Sequence, residues 1–219
     1  MEEICTGRDL LVFAVPSVFV RSTAKKAAPF IPNGQLIVDV AKGIEEKTLM
    51  TMSEVIEACL DAVPGHEQCR VVALSGPTHA EEVACDMPTL IVASSPDEQA
   101  AKKVQKIFNS ANFRVYTNSD RRGVELGGAV KNVVALAVGI AMGLGYGDNA
   151  KAALITRGNA ELSRLGVAMG CRAETFAGLS GMGDSDWQGR ECRPGQERGG
   201  PGGGRHQRLA RCPQTGQKV

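Results

Sequence analysis

One lysine stands inside a long, apolar and glycine-rich segment of this 219-residue chain. The segment covers residues 127–140, and Lys131 is its only charged residue. Residues three, four and seven apart share a helix face, so Lys131 lies in line with Gly127, Val134 and Val138. Burial lowers the pKa of a lysine toward neutrality, which suits proton transfer. Lys131 is therefore a candidate acid/base residue. The alternative is that its stem packs while its ammonium reaches water.

The composition is that of a globular protein with a core of aliphatic residues. Hydrophobic residues make up 43% of the chain and aromatic residues only 4%, which is typical of buried parallel strands and close-packed helices. The formal net charge of +1 gives no reason to expect a nucleic-acid partner or an anionic membrane surface.

The cysteines indicate a reducing compartment. Seven cysteines are scattered without a Cys-x-x-Cys pair or a histidine cluster, so we expect reduced thiols, a cytoplasmic protein and no metal site. The apolar residues 10–20 follow Glu2, Glu3 and Asp9 and are interrupted by Pro16, which argues against a signal peptide. No apolar run is expected to reach the length of a membrane span.

Hydrophobic periodicity predicts alternating strands and helices, followed by helices alone. The predicted strands cover residues 10–15, 35–40, 70–74, 89–94 and 113–117. The predicted helices cover residues 17–28 with Ser17 as N-cap, 48–60, 77–85, 97–109, 122–144, 149–169 and 173–176. This order predicts an α/β fold: a partial Rossmann-like, mostly parallel sheet followed by a partial all-α domain.

Three regions are expected on this basis. Residues 1–118 form a partial dinucleotide-binding domain without its first βαβ unit, and residues 119–184 begin a helical substrate domain. A cleft is expected at their junction. Residues 185–219 contain a run of glycines, seven basic and three acidic residues and few aliphatic ones, so we expect a disordered tail. The alternative for this tail is a basic arm that grips nucleic acid.

Four motifs together carry a family resemblance. They are DVAKGIE at 39–45, LSGPTHAEEV at 74–83, ELGGAVKNV at 125–133 and GLSGMGD at 178–184. In this order and spacing the chain resembles the bacterial type of NAD(P)-dependent glycerol-3-phosphate dehydrogenase. The resemblance covers residues 9–184. It implies hydride transfer between NAD or NADP and carbon 2 of glycerol 3-phosphate, giving dihydroxyacetone phosphate, as part of phospholipid synthesis.

The resemblance also implies roles for individual residues. Lys131 matches the general acid/base lysine, which would stabilise charge on the carbonyl oxygen and donate a proton. Lys42 matches a lysine that contacts both substrate and cofactor. The remaining matches are three substrate-contacting residues, Gly76, Thr78 and Asp184, and one cofactor-contacting residue, Ala80. Without the resemblance, Lys42 would be read as a solvated loop lysine and Asp184 as a helix cap.

The chain also departs from the family it resembles. The glycine-rich G-x-G-x-x-G motif, which accepts a pyrophosphate at a helix N-terminus, is absent, so NAD and NADP cannot be told apart. After Asp184 the sequence is unrelated to the Ser-Arg-Asn segment of the family, which indicates a frameshift or a mis-joined gene. We therefore expect a truncated member that is poorly soluble and has little or no turnover.

Two other functions stay open at this point. One is a related 3-hydroxy-acid or 6-phosphogluconate dehydrogenase, whose motifs match residues 75–83 and 181–184 less well. The other is a non-catalytic binding module that uses the basic tail. For the main hypothesis the expected partner is a small-molecule substrate, with no nucleic acid and no membrane span, and a homodimer is possible because the family is often dimeric.

Overall fold

A computed structural model describes residues 1–179 and Gly181. The chain forms one five-stranded sheet with helices on both faces, followed by three helices. The five strands, in the order in which they lie side by side, are β1 (Leu11–Phe13), β2 (Leu36–Asp39), β3 (Arg70–Ser75), β4 (Thr89–Ser94) and β5 (Phe113–Asn118). All neighbouring strands are parallel except β3 and β4, which are antiparallel. The expected α/β class is confirmed.

Eight α-helices and a short 3-10 turn at Ala28–Phe30 lie within the described part of the chain. The helices are α1 (Glu2–Cys5), α2 (Ser17–Ala27), α3 (Met52–Asp61), α4 (Ala80–Ala84), α5 (Glu98–Phe108), α6 (Arg121–Gly143), α7 (Asp148–Ala168) and α8 (Ala173–Phe176). They alternate with the strands up to β5, and only helices follow, as the periodicity predicted.

Side chains alternate between the two faces of the sheet, as the pleat requires. On β2 and β3, Ile37 and Val71 join α2 and α3 in one core. Val38 and Leu74 belong to a second core, which Ala100 of α5 completes on the opposite face. A third core lies between α6, α7 and α8.

One predicted N-cap and two predicted helix starts are wrong, each for a local reason. Pro16, not Ser17, is the N-cap of α2, and Ser17 is its first helical residue. The helix predicted from residue 48 begins only at Met52, because Leu49 has a positive φ of 58° and Thr51 caps the helix. The helix predicted from residue 77 begins at Ala80, after an extended His79.

Helix α6 is the element that brings Lys131 to the sheet. Its first half packs on β3 and β4, and its length contacts α7. By length and composition α6 could also cross a membrane, with a mean hydropathy of 1.6, although no such run was expected from the sequence. Its residues are 44% buried in that stretch, and a core helix of a folded domain passes the same test.

Candidate active site

The carboxyl ends of β2 and β3 carry the first group of predicted site residues. Lys42 lies in the loop that follows β2. Its ammonium donates a hydrogen bond of 3.0 Å to the carbonyl oxygen of Gly76. The Thr78 hydroxyl donates to the same oxygen at 3.4 Å. Parallel strands present their ligand-binding loops at this edge. The structure thus brings Lys42, Gly76 and Thr78 together.

Gly76 is required by close packing rather than by its backbone angles. A methyl group there would lie 3.0 Å from the Ile91 Cα and 3.1 Å from the carbonyl oxygen of Leu90, both on β4. The absence of a side chain lets the turn after β3 approach the next strand, which directs the following residues over the sheet edge.

A cleft of about 680 Å³ opens beside this turn. Lys42, Thr78 and Ala80 line it together with Asp86, and its walls are apolar. The apolar wall residues are Val40, Leu74, Val83, Ala84, Ile91, Phe108 and Phe113. The described cleft therefore combines an apolar wall with a small polar group, an arrangement typical of small-molecule sites.

Lys131 is among the most deeply buried side chains in the described part of the chain. It is 1% exposed, so the alternative in which its ammonium reaches water is wrong. Its helical neighbours Val134, Ala135 and Val138 are buried too. A charge in such a place needs polar surroundings. Lys131 does not line the cleft: it lies on α6, on the other side of the β3 end.

Close packing holds α6 against β3 near Lys131. A methyl group at Gly128, one turn before Lys131, would lie 2.8 Å from the Ser75 hydroxyl oxygen. Ser75 directly precedes Gly76. The buried lysine is thus on the helix that touches the strand end from which the Lys42, Gly76 and Thr78 group extends.

A buried cluster of charged groups, missed from the sequence, fixes the start of α6. The Glu125 carboxylate accepts hydrogen bonds from the Thr51 hydroxyl and the Ser53 amide, both at 2.9 Å, and from the Ser53 hydroxyl. Glu125 thereby satisfies free donors at the N-terminus of α3. Burial raises the pKa of Glu125, and the bonds to Ser53 and Thr51 oppose that rise.

Arg121 ties the same end of α6 to two other elements. Its guanidinium pairs with both Glu57 oxygens, at 2.6 and 2.5 Å, and donates to the Val71 carbonyl oxygen at 2.9 Å. Bidentate pairs of this kind fix orientation as well as distance. Glu57 belongs to α3 and Val71 to β3, so α6 is clamped to a helix and a strand together.

Asp39 completes the buried cluster at the end of β2. It is 1% exposed, and its Oδ1 accepts from the Ala41 amide at 3.1 Å. Burial, followed by the charge of Glu125, raises the pKa of Asp39 to about 7. The sequence offered one usable signal for this cluster: both acids stand inside the motifs quoted for the family resemblance, although no role was assigned to them.

Two predicted features lie outside the described residues. Asp184, predicted to contact the substrate, and the tail at 185–219 cannot be placed. Within the described residues no group of three or more His, Cys, Asp or Glu could hold a metal ion. Among the described cysteines, Cys5, Cys59, Cys69 and Cys171 form no disulfide bond.

The comparisons with known proteins agree with this geometry. Residues 1–101 match the sequence model described as the NAD-dependent glycerol-3-phosphate dehydrogenase N-terminus, and residues 120–194 match the C-terminus of the same family. The mostly parallel sheet with a helical continuation places the chain among the α/β proteins. The chain belongs to the NAD-dependent glycerol-3-phosphate dehydrogenase family.

Individual relatives give the extent of the similarity. The chain is 62% identical over 182 residues to glycerol-3-phosphate dehydrogenase [NAD(P)+] 2 of Lactobacillus delbrueckii subsp. bulgaricus, covering 83% of this chain and 54% of that one. It is 55% identical to the enzyme of Agathobacter rectalis, covering 84% and 53%. The chain therefore spans about half the length of the curated relatives it matches.

A solved structure shows the same fold. The glycerol-3-phosphate dehydrogenase of Coxiella burnetii superposes with a TM-score of 0.79 at 35% identity, covering 88% of this chain and 59% of that one. Family membership supports the dehydrogenase hypothesis over the related 3-hydroxy-acid and 6-phosphogluconate types. The hypothesis of a binding module with a basic tail concerns residues that the structure does not describe.

Proposed function

We propose that this chain carries the substrate side of a glycerol-3-phosphate dehydrogenase centre. The reaction is reversible hydride transfer between NAD(P)H and dihydroxyacetone phosphate, which yields sn-glycerol 3-phosphate for glycerophospholipid synthesis. The observation that carries the proposal is the complete burial of Lys131 on the helix that packs against the Ser75 and Gly76 strand end. The named function of the relatives supports it.

Lys131 is the proposed acid/base residue. Reduction of the ketone places negative charge on the oxygen of carbon 2. An ammonium held in a poorly hydrated seam stabilises that charge more strongly than one in water and donates the proton that makes the alcohol. In the reverse direction the neutral amine accepts the proton from the alcohol.

Lys42, Gly76 and Thr78 are the proposed substrate contacts at the cleft. The Lys42 ammonium attracts the anionic phosphate ester, and its bond to the Gly76 carbonyl oxygen holds it at the cleft. Asp184, which lies outside the described residues, is proposed as a further substrate contact because it matches the substrate-contacting aspartate of the family.

The residues at the cleft fit the reactive end of a nicotinamide cofactor. The apolar wall suits a flat ring, while Lys42 and Ala80 would hold its polar edge. When bound, the nicotinamide supplies or accepts the hydride. The proposal assigns residues 1–118 to cofactor binding and residues 119–184 to the helical substrate side.

The proposal also places the protein in the cytoplasm, with a small-molecule partner and no nucleic-acid partner. Free cysteines among the described residues and the net charge of +1 support this placement. A homodimer is part of the proposal, and sedimentation velocity of the purified chain would test it. A concentration-independent monomer would contradict a dimer.

Lysine NMR tests the proposed site without depending on turnover. The purified chain is labelled with ¹³C at lysine Cε, and the signals of Lys131 and Lys42 are assigned from K131R and K42R variants. Millimolar dihydroxyacetone phosphate is expected to shift both signals. Inorganic phosphate, the control, is expected to shift only Lys42. If dihydroxyacetone phosphate leaves Lys131 unchanged, the proposed function is wrong.

A further inference from the structure

The last residue of β2, Asp39, is a buried acid that holds the loop behind its strand. It is 1% exposed, and its Oδ1 accepts a hydrogen bond of 3.1 Å from the amide of Ala41, two residues further on. A bond between an aspartate and the backbone two residues later shapes a turn. The other oxygen, Oδ2, has no hydrogen-bond partner among the residues that the structure describes. Burying an acid with one unused oxygen costs stability, so its bond to the loop calls for an explanation.

The loop held in this way carries Lys42. Val40 still follows the sheet, because its amide donates to the carbonyl oxygen of Phe13 on β1 at 3.1 Å. The amide of the next residue, Ala41, donates to Asp39 instead. The chain therefore leaves the sheet at the residue that directly precedes Lys42.

Close packing restrains the other side of Lys42. A methyl group at Gly43 would lie 2.7 Å from the Ser17 Cβ, so the backbone after Lys42 packs directly on the start of α2. Between the bonded Ala41 and the packed Gly43, the backbone of Lys42 has little freedom. From this position its ammonium donates to the Gly76 carbonyl oxygen at 3.0 Å, beside the cleft.

We propose that Asp39 is a positioning residue for Lys42, its carboxyl group holding the Ala41 amide so that the ammonium is directed to the cleft. The inference rests on the proposed function, since it names the residue that places the proposed phosphate contact. A protonated carboxyl group still offers one oxygen to the Ala41 amide, and an asparagine side chain does the same. No covalent step is involved.

The ionisation of Asp39 gives this role a signature. The charged side chains that α6 buries are Arg121, Glu125 and Lys131, and α3 contributes Glu57, the partner of Arg121. Burial, followed by the charge of Glu125, raises the pKa of Asp39 to about 7, while the bond from Ala41 and the charge of Arg121 oppose the rise. Near neutral pH the carboxyl group therefore exchanges between its protonated and ionised forms, and its partner amide reports the change.

The amide signal of Ala41 tests the bond itself. Its proton is expected to move downfield as the pH of the natural chain rises from about 4 to about 9, because an ionised carboxyl group accepts an amide hydrogen bond more strongly. In D39N the acceptor oxygen remains but cannot ionise, so the movement should disappear. An Ala41 signal that does not titrate in the natural chain, or that titrates equally in D39N, would overturn the proposal.

The carbonyl ¹³C signal of Gly76 tests the position of Lys42 without any ligand. It reports whether the ammonium is bonded to that carbonyl oxygen, and K42A gives the value without the bond. D39V suits a buried strand but offers no acceptor, so it is expected to move the Gly76 signal most of the way to the K42A value. D39N is expected to keep the natural value. D39A replaces D39V if that variant does not fold, and a natural Gly76 signal in either one would overturn the proposal.

D97A is the matched control. Asp97 also accepts backbone amides, those of Gln99 and Ala100 at the start of α5. It pairs with Arg70, the first residue of β3, and so lies at the opposite edge of the sheet from Gly76. Its loss is expected to lower stability and to leave the Gly76 signal unchanged. A change in D97A as large as that in D39V would mean that the signal reports a general loosening of the fold, and the proposal would fail.

Inorganic phosphate connects this inference to the proposed function. Its affinity, followed by the Lys42 ¹³Cε signal, is expected to be roughly five- to tenfold weaker in D39V and within about twofold of the natural value in D39N. If phosphate shifts the Lys42 signal but D39V keeps the natural affinity, only the role of Asp39 is wrong. If D39V moves the Gly76 signal but neither phosphate nor dihydroxyacetone phosphate shifts Lys42, the proposed function fails although Asp39 still places the lysine.

Discussion

The two halves of helix α6 differ sharply in what they bury. The first half places Arg121, Glu125 and Lys131 in the interior, and ion pairs or hydrogen bonds join Arg121 to Glu57 and Glu125 to Thr51. The second half leaves Val133, Leu136 and Ile140 exposed to solvent. Residue type alone would predict the opposite burial, with the charged side chains exposed and the aliphatic side chains buried.

This difference indicates where the function of α6 lies. Burying a charged side chain costs free energy unless partners held in fixed positions compensate for the lost water. The first half of α6 is therefore a polar site formed by the fold. The exposed aliphatic residues of the second half have no assigned role in the site, but they form an apolar surface. An apolar groove of about 480 Å³, lined by Ile140, Leu144 and Tyr146, continues that surface between α6 and α7.

The largest effect is expected from removing the Glu125 carboxylate. E125L leaves the Thr51 and Ser53 donors buried without their acceptor, which is expected to cost about 3–5 kcal/mol of unfolding free energy. Urea denaturation measures this cost. The control E161L removes an exposed carboxylate on α7 and should change stability by no more than about 0.5 kcal/mol. A loss of less than about 1 kcal/mol in the unfolding free energy of E125L would show that the hydrogen bonds of Glu125 do not hold α6 against α3.

The next effect concerns the pH dependence of stability. Because the pKa of Asp39 is raised to about 7 in the folded chain, the folded state binds more protons than the unfolded state between its ordinary value of 3.8 and about 7. Stability contributed by the protonated form is therefore lost as pH rises through that window. Between about pH 5 and pH 8 the loss contributed by Asp39 is expected to be roughly 2–3 kcal/mol, and D39N should remove this contribution.

Asp97 provides the control with the opposite sign. Hydrogen bonds from the Ala100 amide and Arg70 lower the pKa of Asp97. Its contribution is present above the ordinary pKa and is lost only as pH falls below that value. D97N should therefore leave the slope between about pH 5 and pH 8 unchanged. A natural chain whose stability rises with pH in this range would contradict the burial of an acidic pair at Asp39 and Glu125.

Most of the fold was predictable because the signals are local. The strand at Thr89–Ser94 and the helix at Ala173–Phe176 have the predicted bounds, since turn-forming residues, Pro96 and Gly178, follow them within two positions. The start of α3 was missed although its signal is present: Thr51 and Glu54 form a capping box. The apolar Leu49 and Met50 extended the helical pattern past the true start.

The site was only partly predictable because its polar contacts join distant segments. The burial of Lys131 follows from the helical pattern, and Lys42 and Thr78 follow from the family resemblance. The cluster of Asp39 with Glu125 does not, because no local pattern states that the end of β2 faces the first turns of α6. The hydroxyl of Ser75 is hidden in the same way, since its approach to Gly128 exists only in the packed fold.

Glycine substitutions on α6 compare its two halves directly. G128A places a methyl group 2.8 Å from the Ser75 oxygen, and this overpacking is expected to cost about 1–2 kcal/mol. A methyl group at Gly143 meets nothing within 4 Å, so G143A is expected to stabilise the helix by roughly 0.5 kcal/mol. Thermal or urea unfolding measures both. In the double variant G128A/S75A the missing oxygen should restore much of the loss, and strict additivity would argue against the contact.

The smallest change in stability is expected at the exposed end of α6, although solubility should change most there. L136E/I140E replaces side chains that are 62% and 56% exposed, so the unfolding free energy should change by no more than about 0.5 kcal/mol. Self-association should fall, because two charges interrupt the apolar surface. Sedimentation velocity across a concentration series measures this.

V138E is the matched control: Val138 is 1% exposed on the same helix, so the new carboxylate should unfold the chain. If L136E/I140E associates as strongly as the natural chain, the surface that drives association lies elsewhere. The exposed residues in the second half of α6 would then have no role in association, in contrast to the buried polar residues of its first half.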